Sequence, residues 1–104
     1  MIMLPCRRGT RLEHNADFVF EAARVAVFLD GDFWHGRSIK ESLPERWKVK
    51  LRRNAERDVI NRSALGREGW EVLSCWESEF MKQPWDFIWK VRIAVFHRAL
   101  TRTR

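Results

Sequence analysis

VAVFLDGDFWHG, residues 25–36, joins an apolar run to an acidic turn and then to two aromatic residues and a histidine. The apolar run, read from residue 23 to 29, is typical of a β-strand covered on both faces. Asp30-Gly31-Asp32 is a turn signal that ends this strand. Upstream, residues 17–20 (DFVF) predict a second short strand, with Glu21-Ala22 as a tight connection. If the two strands pair as an antiparallel hairpin, the start of one lies beside the end of the other.

Two helices and a third strand are expected after the hairpin. Pro44 suits the first position of a helix, and apolar residues at helical spacing continue for about six turns, to residues 66–69. The alternation in 70–76 (WEVLSCW) predicts a strand, 77–83 carry no clear pattern, and 84–101 again show helical spacing. The order β-β-α-β-α implies a parallel crossover onto a small mixed sheet flanked by two long helices, in the α/β or α+β class. Residues 1–16, around residues 11–14, or a partner chain could add an edge strand.

Length and composition favour one domain, residues 1–104, with a modest core. Hydrophobic residues are 45% and charged residues 33% of the chain, which is typical of globular proteins. No apolar run approaches the ~20 residues of a membrane span, and the apolar N-terminal stretch is too short for a secretory signal. Cys6 and Cys75 form no disulfide framework, so we expect a cytoplasmic protein. Most of the six tryptophans are expected in the core.

The net charge of +6 is unevenly distributed. Residues 17–36 carry −3 and residues 37–68 carry +5, and fifteen of the twenty cations are Arg, whose planar fork suits phosphate. A basic surface for phosphates and acidic islands for a cation are what a metal-dependent nuclease needs. Solvated Arg-rich helices would give the same balance, so charge alone leaves both interpretations open.

Three aspartates are candidates for a metal site. In the hairpin, Asp17 at the start of the first strand would approach Asp30 and Asp32 at the end of the second. Clustered carboxylate oxygens favour a hard divalent cation such as Mg²⁺. The alternative is a solvated hairpin end, where Asp is common.

Phe33, Trp34 and His35 follow directly after this turn. Exposed rings could stack on bases or wedge between base steps, and a histidine can act as a general base near neutral pH. The alternative is that both rings pack into the core and the histidine only caps a neighbouring element.

The first long helix carries polar residues that could reach the same place. Asn54, Arg57 and Asp58 lie within one turn and could support a site above the sheet, although an ordinary ion-paired helix face is the more frequent explanation. Glu77 follows the third strand, where functional groups gather in α/β sheets, and could equally cap the next helix. The basic candidates for phosphate contacts on the first helix are Lys48, Lys50, Arg52 and Arg53.

Several ordered blocks of this sequence, spread over residues 15–80, resemble the very-short-patch repair (Vsr-type) mismatch endonucleases. The blocks are residues 17–20, 25–36, 54–58 with Trp47 and Lys50 before them, and 69–78. The resemblance implies a restriction-endonuclease-like fold and a nuclease that uses Mg²⁺ (or Mn²⁺) to nick duplex DNA beside a T:G mismatch.

The resemblance also implies roles for individual residues. Asp17 matches the metal-binding aspartate of the family, and His35 matches its catalytic histidine. The backbone carbonyl of Leu29 would face the metal, and Asp30 stands where another catalytic-site histidine or an aspartate occurs, so that Asp30 or Asp32 would assist. The remaining matches are the aromatics that wedge into DNA, Phe33 and Trp34, and a polar pair that supports the site, Arg57 and Asp58.

Three departures from the family pattern are visible. The positions of its structural zinc ligands hold Asp32, Ser78 and a loop with neither Cys nor His, so we expect no zinc. Its N-terminal helix has no counterpart before Asp17, and residues 85–104 match only loosely.

The sequence therefore predicts a Mg²⁺- or Mn²⁺-dependent DNA endonuclease, nicking duplex DNA by metal-assisted phosphodiester hydrolysis, in mismatch repair or as a phage or mobile-element nuclease. The alternative is a catalytically inactive nucleic-acid-binding or assembly module that keeps the nuclease fold. A homodimer, or a separate DNA-binding partner, is compatible with the missing edge strand.

Overall fold

A hairpin and one crossover strand form the sheet. The computed structural model describes residues 4–102. A 3-10 turn at Arg11–Glu13 precedes the regular elements, which are β1 (Phe18–Phe20), β2 (Val25–Asp30), α1 (Glu45–Arg67), β3 (Glu71–Trp76), α2 (Glu77–Lys82) and α3 (Pro84–Arg102). The strand order is β1-β2-β3. The expected α/β class with a small mixed sheet and two long helices is confirmed.

The strand pairing matches the two relationships expected from the sequence. β1 is antiparallel to β2, with Phe18 opposite Val27, so the predicted hairpin is correct. β2 is parallel to β3, with Asp30 opposite Trp76, because α1 carries the chain back to the same end of the sheet. Asp30, at the carboxyl end of the central strand, therefore lies beside the start of α2.

α1 and α3 cover opposite faces of this sheet. Side chains of a strand alternate between its two faces. Ala26 and Phe28 of β2 therefore pack with Leu65 near the end of α1, whereas Val25 and Val27 pack with α3. Asp30 continues the Ala26–Phe28 face, which directs its side chain toward α1. Burial of these small clusters is the main stabilising contribution of the fold.

The ends of α1 follow from local backbone chemistry. Pro44 precedes the helix as its N-cap rather than occupying its first turn, and its carbonyl accepts from the Lys48 amide at 3.1 Å. The predicted C-terminal region is correct, because α1 ends at Arg67 and Gly69 follows with a φ of +95°. This left-handed conformation favours glycine and turns the chain into β3.

Two segments differ from what the sequence indicated. Residues 77–83, which carried no pattern, contain α2. Residues 11–14 form no edge strand, because Thr10 and Glu13 cap a 3-10 turn there. Instead Arg7 makes a single antiparallel bridge to Val19.

The tryptophans are mostly outside the core, contrary to expectation. Only Trp70 is buried, whereas Trp34, Trp85 and Trp89 are each more than half exposed. The reason is geometric, since a three-stranded sheet covers only one face of each long helix. On α3, Phe87 and Val95 face the sheet, and an opposite apolar stripe remains in solvent. Within residues 4–102, the helices include none that is long and apolar enough to cross a membrane.

Candidate functional site

An Arg–Asp ion pair joins the end of β2 to α1. Arg62 donates two hydrogen bonds to Asp30, Nη1 to Oδ2 at 2.7 Å and Nη2 to Oδ1 at 2.6 Å. The guanidinium also lies 4.3 Å from the ring centroid of Phe28, in cation–π geometry. Because both carboxylate oxygens of Asp30 are engaged, this residue contributes a fixed negative charge beside α1.

His35 lies next to this ion pair and is oriented by α1. Its Nδ1 hydrogen-bonds to Oδ2 of Asp58, and the same nitrogen lies 3.8 Å from Oδ1 of Asp30. With Asp58 as the acceptor, a neutral ring keeps its proton on Nδ1 and presents the Nε2 lone pair to a ligand. The His35 side chain is 30% exposed and lines the groove described below.

α1 also holds the loop that carries His35. Nδ2 of Asn54 donates to the carbonyl of Trp34 at 3.0 Å. Arg57 donates to Asn54 Oδ1 at 3.0 Å and is itself exposed. Of the three predicted supporting residues on this helix turn, Asn54 and Asp58 contact the loop, and Arg57 acts on Asn54.

Asp17 and Leu29 meet at the start of the hairpin. Oδ2 of Asp17 accepts from the Leu29 amide at 2.7 Å, and the Asp17 amide donates to the Val27 carbonyl at 2.9 Å. The N–H and C=O groups of one strand residue point toward the same neighbouring strand. The Leu29 carbonyl therefore lies on the β1 side of β2, where Asp17 begins that strand.

The expected convergence of Asp17, Asp30 and Asp32 is wrong. Within residues 4–102, three or more Asp, Glu, His or Cys residues nowhere gather in a group that could hold a metal. The reason is local pairing, since Asp30 binds Arg62 and Asp32 binds Ser78 and Arg37. Two hydrogen bonds from Ser78, with a further one from Arg37, hold the pKa of Asp32 below its ordinary value.

Phe33, Trp34 and Trp47 form an exposed aromatic cluster, which we call the aromatic platform. Phe33 and Trp34 are 45% and 52% exposed and meet edge to face with centroids 5.0 Å apart. Trp47 lies 6.1 Å from Trp34, and Nζ of Lys50 lies 5.8 Å from the Trp34 ring. The interpretation that both loop aromatics are core residues is therefore wrong.

The predicted phosphate contacts on α1 differ in exposure and in ion pairing. Lys48 is 13% exposed and pairs with Glu41 at 3.3 Å. Arg52 is exposed and lies 3.6 Å from Glu45, and Arg53 is exposed as well. Lys50, Arg52 and Arg53 are thus the more accessible of the four predicted phosphate contacts.

A groove of about 880 Å³ opens above Asp30, His35 and Asp58. Four cations and four carboxylates line it: Arg37, Arg62, Lys82, Lys90, Asp30, Asp58, Glu79 and Asp86. None of these four cations was a candidate from the sequence. Of the four cations, only Arg62 could have been predicted from the sequence, because it lies four residues after Asp58 and therefore on the same helix face. Glu77 lies outside this groove, where it lines a shallow depression beside residues 31–34.

The fold and the site together define a class of protein. A mixed α/β sheet carries an oriented histidine in the loop after its central strand, in a groove lined by both cations and carboxylates, which is consistent with a restriction-endonuclease-like enzyme. The family described as DNA mismatch endonuclease Vsr matches residues 7–41, and the chain belongs to this Vsr-type family.

Curated relatives extend the similarity beyond that segment. The type II nicking enzyme V.NmeDIP of Neisseria meningitidis serogroup C is 39% identical over 85 residues, covering 76% of this chain and 57% of the relative. The type II nicking enzyme V.NaeI of Lentzea aerocolonigenes is 43% identical over 77 residues, covering 70% and 46%. The DNA mismatch endonuclease Vsr of Escherichia coli (strain K12) is 36% identical over 71 residues, covering 64% and 46%. The chain thus spans about half the length of the curated relatives it matches.

Proposed function

We propose that this chain is a divalent-metal-dependent DNA endonuclease that nicks one strand of duplex DNA. The observation that carries the proposal is the hydrogen bond between His35 and Asp58, which both line the groove. The names of the relatives, nicking enzymes and a mismatch endonuclease, support the same activity.

Asp17 is the residue that fits a metal ion. Its side chain is exposed and has one oxygen engaged by the Leu29 amide, which leaves the second as a candidate ligand beside the Leu29 carbonyl. Mg²⁺ characteristically binds one or two carboxylates, keeps several waters and takes the rest of its ligands from substrate phosphate. When bound, Mg²⁺ or Mn²⁺ would stabilise negative charge on the phosphoryl oxygens. Asp30 is less suited, because Arg62 occupies both of its oxygens.

His35 is the proposed general base. Its Nε2 accepts a proton from a water molecule whose oxygen forms the new bond to phosphorus. The P–O bond to the leaving sugar oxygen breaks, and that oxygen takes a proton from solvent. Asp58 stabilises the imidazolium that results, because it already binds the Nδ1 proton.

The groove and the aromatic platform would hold the DNA. Lys82 and Lys90 line the groove and would neutralise phosphates of the strand that is cut. Phe33 and Trp34 are exposed beside the His35 loop, where they can wedge between base steps. The proposed ligand is therefore duplex DNA, contacted on one side by cations and on the other by aromatic rings.

The second candidate is a nucleic-acid-binding module without catalysis. The observation that favours it is the Arg62–Asp30 ion pair, which removes one carboxylate from metal binding. Such a module would bind DNA with a strong salt dependence and leave it uncut.

A plasmid assay distinguishes the two candidates. Supercoiled plasmid is incubated in Mg²⁺, in Mn²⁺ and in chelator with the wild type, Asp17→Ala, His35→Ala and Arg67→Gln. Arg67 is exposed at the far end of α1, so its variant controls for the loss of one charge. We expect open-circle product from the wild type and the control in either metal, and at least 100-fold slower nicking by the other two. Equal nicking by all four proteins would reject the assignment of the site.

Three further expectations stay predictions. The first is a single domain over residues 1–104. The second is a cytoplasmic location, which is compatible with the free Cys6 and Cys75. The third is a homodimer or a DNA-binding partner, which is compatible with the exposed apolar face of α3. Light scattering of the purified chain, with and without a duplex, measures the molecular mass that decides the oligomeric state.

A further inference from the structure

A network centred on Arg37 joins the His35 loop to the start of α2. Arg37 donates to Oδ2 of Asp32 and to Oγ of Ser78, both at 3.2 Å, and to Oε1 of Glu79 at 2.5 Å. Ser78 returns two hydrogen bonds to Asp32, from its amide at 3.1 Å and from Oγ at 2.6 Å. The guanidinium lies 5.2 Å from the Trp76 ring centroid. We call these four polar residues, Asp32, Arg37, Ser78 and Glu79, the Arg37 clamp.

The loop held by the clamp is a single tight unit. The amide of His35 donates to the Gly31 carbonyl at 3.1 Å, and the amide of Arg37 donates to the Asp32 carbonyl at 3.1 Å. Gly36 has a φ of +67°, and a Cβ there would lie 3.0 Å from the Leu51 carbonyl oxygen. Because the loop is closed by its own hydrogen bonds, fixing Asp32 and Arg37 also fixes the backbone of His35 between them.

Two helices hold this unit from opposite sides. α1 contacts it through Asn54 and Asp58, and α2 contacts it through the clamp. Without the clamp, the loop would keep only the α1 contacts and could swing away from β3. The orientation of the His35 ring over the groove therefore depends on both helices.

The clamp residues do not fit a zinc ion, although the resemblance places structural zinc ligands at positions 32 and 78. Zinc sites use Cys and His and some carboxylates, whereas Asp32 and Ser78 supply one carboxylate and one hydroxyl. Arg37 lies between the Asp32 and Glu79 carboxylates and occupies their lone pairs. A fixed guanidinium at this distance would also repel a cation.

We propose that Arg37 is a positioning residue, which cross-links the His35 loop to α2 through hydrogen bonds and so holds His35 in place for its role as general base. Its effect on nicking rests on the proposed function, whereas its effect on the loop does not. Exposed ion pairs taken singly contribute little, but this guanidinium bonds three side chains, and two of them, Asp32 and Ser78, are also bonded to each other. Its loss would release the loop and leave the sheet and α1 in place.

The test compares Arg37→Gln, Arg37→Lys and Ser78→Ala with the wild type and the charge-matched control Arg67→Gln. Amide hydrogen exchange of the DNA-free protein is the first readout. We expect exchange at His35 and Arg37 to accelerate about tenfold or more in Arg37→Gln, less in Arg37→Lys and Ser78→Ala, and not in the control. Amides of β2 and α1 serve as the internal measure of global stability.

Plasmid nicking is the second readout. We expect Arg37→Gln to lower kcat by roughly 10- to 100-fold, the range seen when a residue that orients a catalytic group is removed, with KM changed much less and partial rescue by Arg37→Lys. Unchanged exchange at residues 35 and 37 would overturn the clamp. A raised KM with an unchanged kcat would make Arg37 a phosphate contact instead. If the wild type does not nick, the proposed function fails, and the exchange result still decides whether the clamp holds the loop.

Discussion

Arg62 of α1 donates two hydrogen bonds to Asp30 at the end of β2, 2.7 and 2.6 Å long. The side chains are 18% and 8% exposed, so the pair lies largely out of water. It joins the end of β2 to α1, and Nδ1 of His35 lies 3.8 Å from the same carboxylate. The His35 loop and α1 therefore meet at one ion pair.

Removing only one partner of this ion pair should lower the stability of the fold. Arg62→Met leaves the Asp30 carboxylate buried and unpaired, and we expect the free energy of unfolding to fall by about 3 kcal/mol. The double variant Arg62→Met/Asp30→Asn removes the charge as well and should regain part of the loss. Urea unfolding of the four proteins of this cycle measures both values. A double variant that is less stable than Arg62→Met would contradict the interpretation.

Asp58 should affect turnover more than binding. Asp58→Asn removes the charge that stabilises the His35 imidazolium, and we expect kcat for nicking to fall by about 10- to 100-fold. The Kd for duplex DNA should stay within about twofold, because Asp58 faces His35 rather than phosphate. Glu56→Gln, an exposed residue on the same helix, is the matched control. An equal fall of kcat in Asp58→Asn and Glu56→Gln would mean that any loss of negative charge on α1 has this effect.

The aromatic platform should contribute to DNA affinity. Phe33→Ala and Trp34→Ala each remove an exposed ring, and we expect each to weaken duplex binding by about 1–3 kcal/mol, the range for one stacked base. Thermal stability should change little. Phe96→Ala, at an exposed position of α3, is the control for removal of a surface phenyl group. Fluorescence anisotropy with a labelled duplex at fixed salt measures the Kd, and binding equal to the control would refute the role.

Glu13 should make stability depend on acid pH. Its carboxylate binds Arg7 at 2.9 Å and the Thr10 amide at 3.0 Å, and these contacts, chiefly that of Arg7, lower its pKa from 4.5 to about 2. Since the folded state has the lower pKa, this contribution is complete above pH 4.5 and is lost as the pH falls toward 2. Thermal melts from pH 6 to 2 should show a smaller loss of stability in Glu13→Gln than in the wild type. An equal loss of melting temperature in both proteins between pH 6 and pH 2 would contradict the role of Glu13.

How far the sequence predicts the fold is clearest in β2 and α2. β2 was recognisable because a central strand buried on both faces is apolar throughout, and its acidic end marked the turn. α2 was not, because it is six residues long with no buried residue and so carries no hydrophobic period. The tryptophans mislead for a related reason, since hydrophobicity shows a preference for burial but not how much surface a three-stranded sheet can cover.

Local sequence alone determined the strands, the long helices and the loop of Phe33, Trp34 and His35, because these depend on residues near each other in the chain. The tertiary structure alone decided which charges meet. Arg62 lies 32 residues from Asp30, and Ser78 lies 46 residues from Asp32. Each aspartate could bind a cation or an arginine, and the choice depends on which side chain the crossover brings within hydrogen-bond distance. Packing thus turned the expected trio of aspartates into one exposed carboxylate, Asp17, and two ion-paired ones, Asp30 beside His35 and Asp32 bound to Arg37 and Ser78.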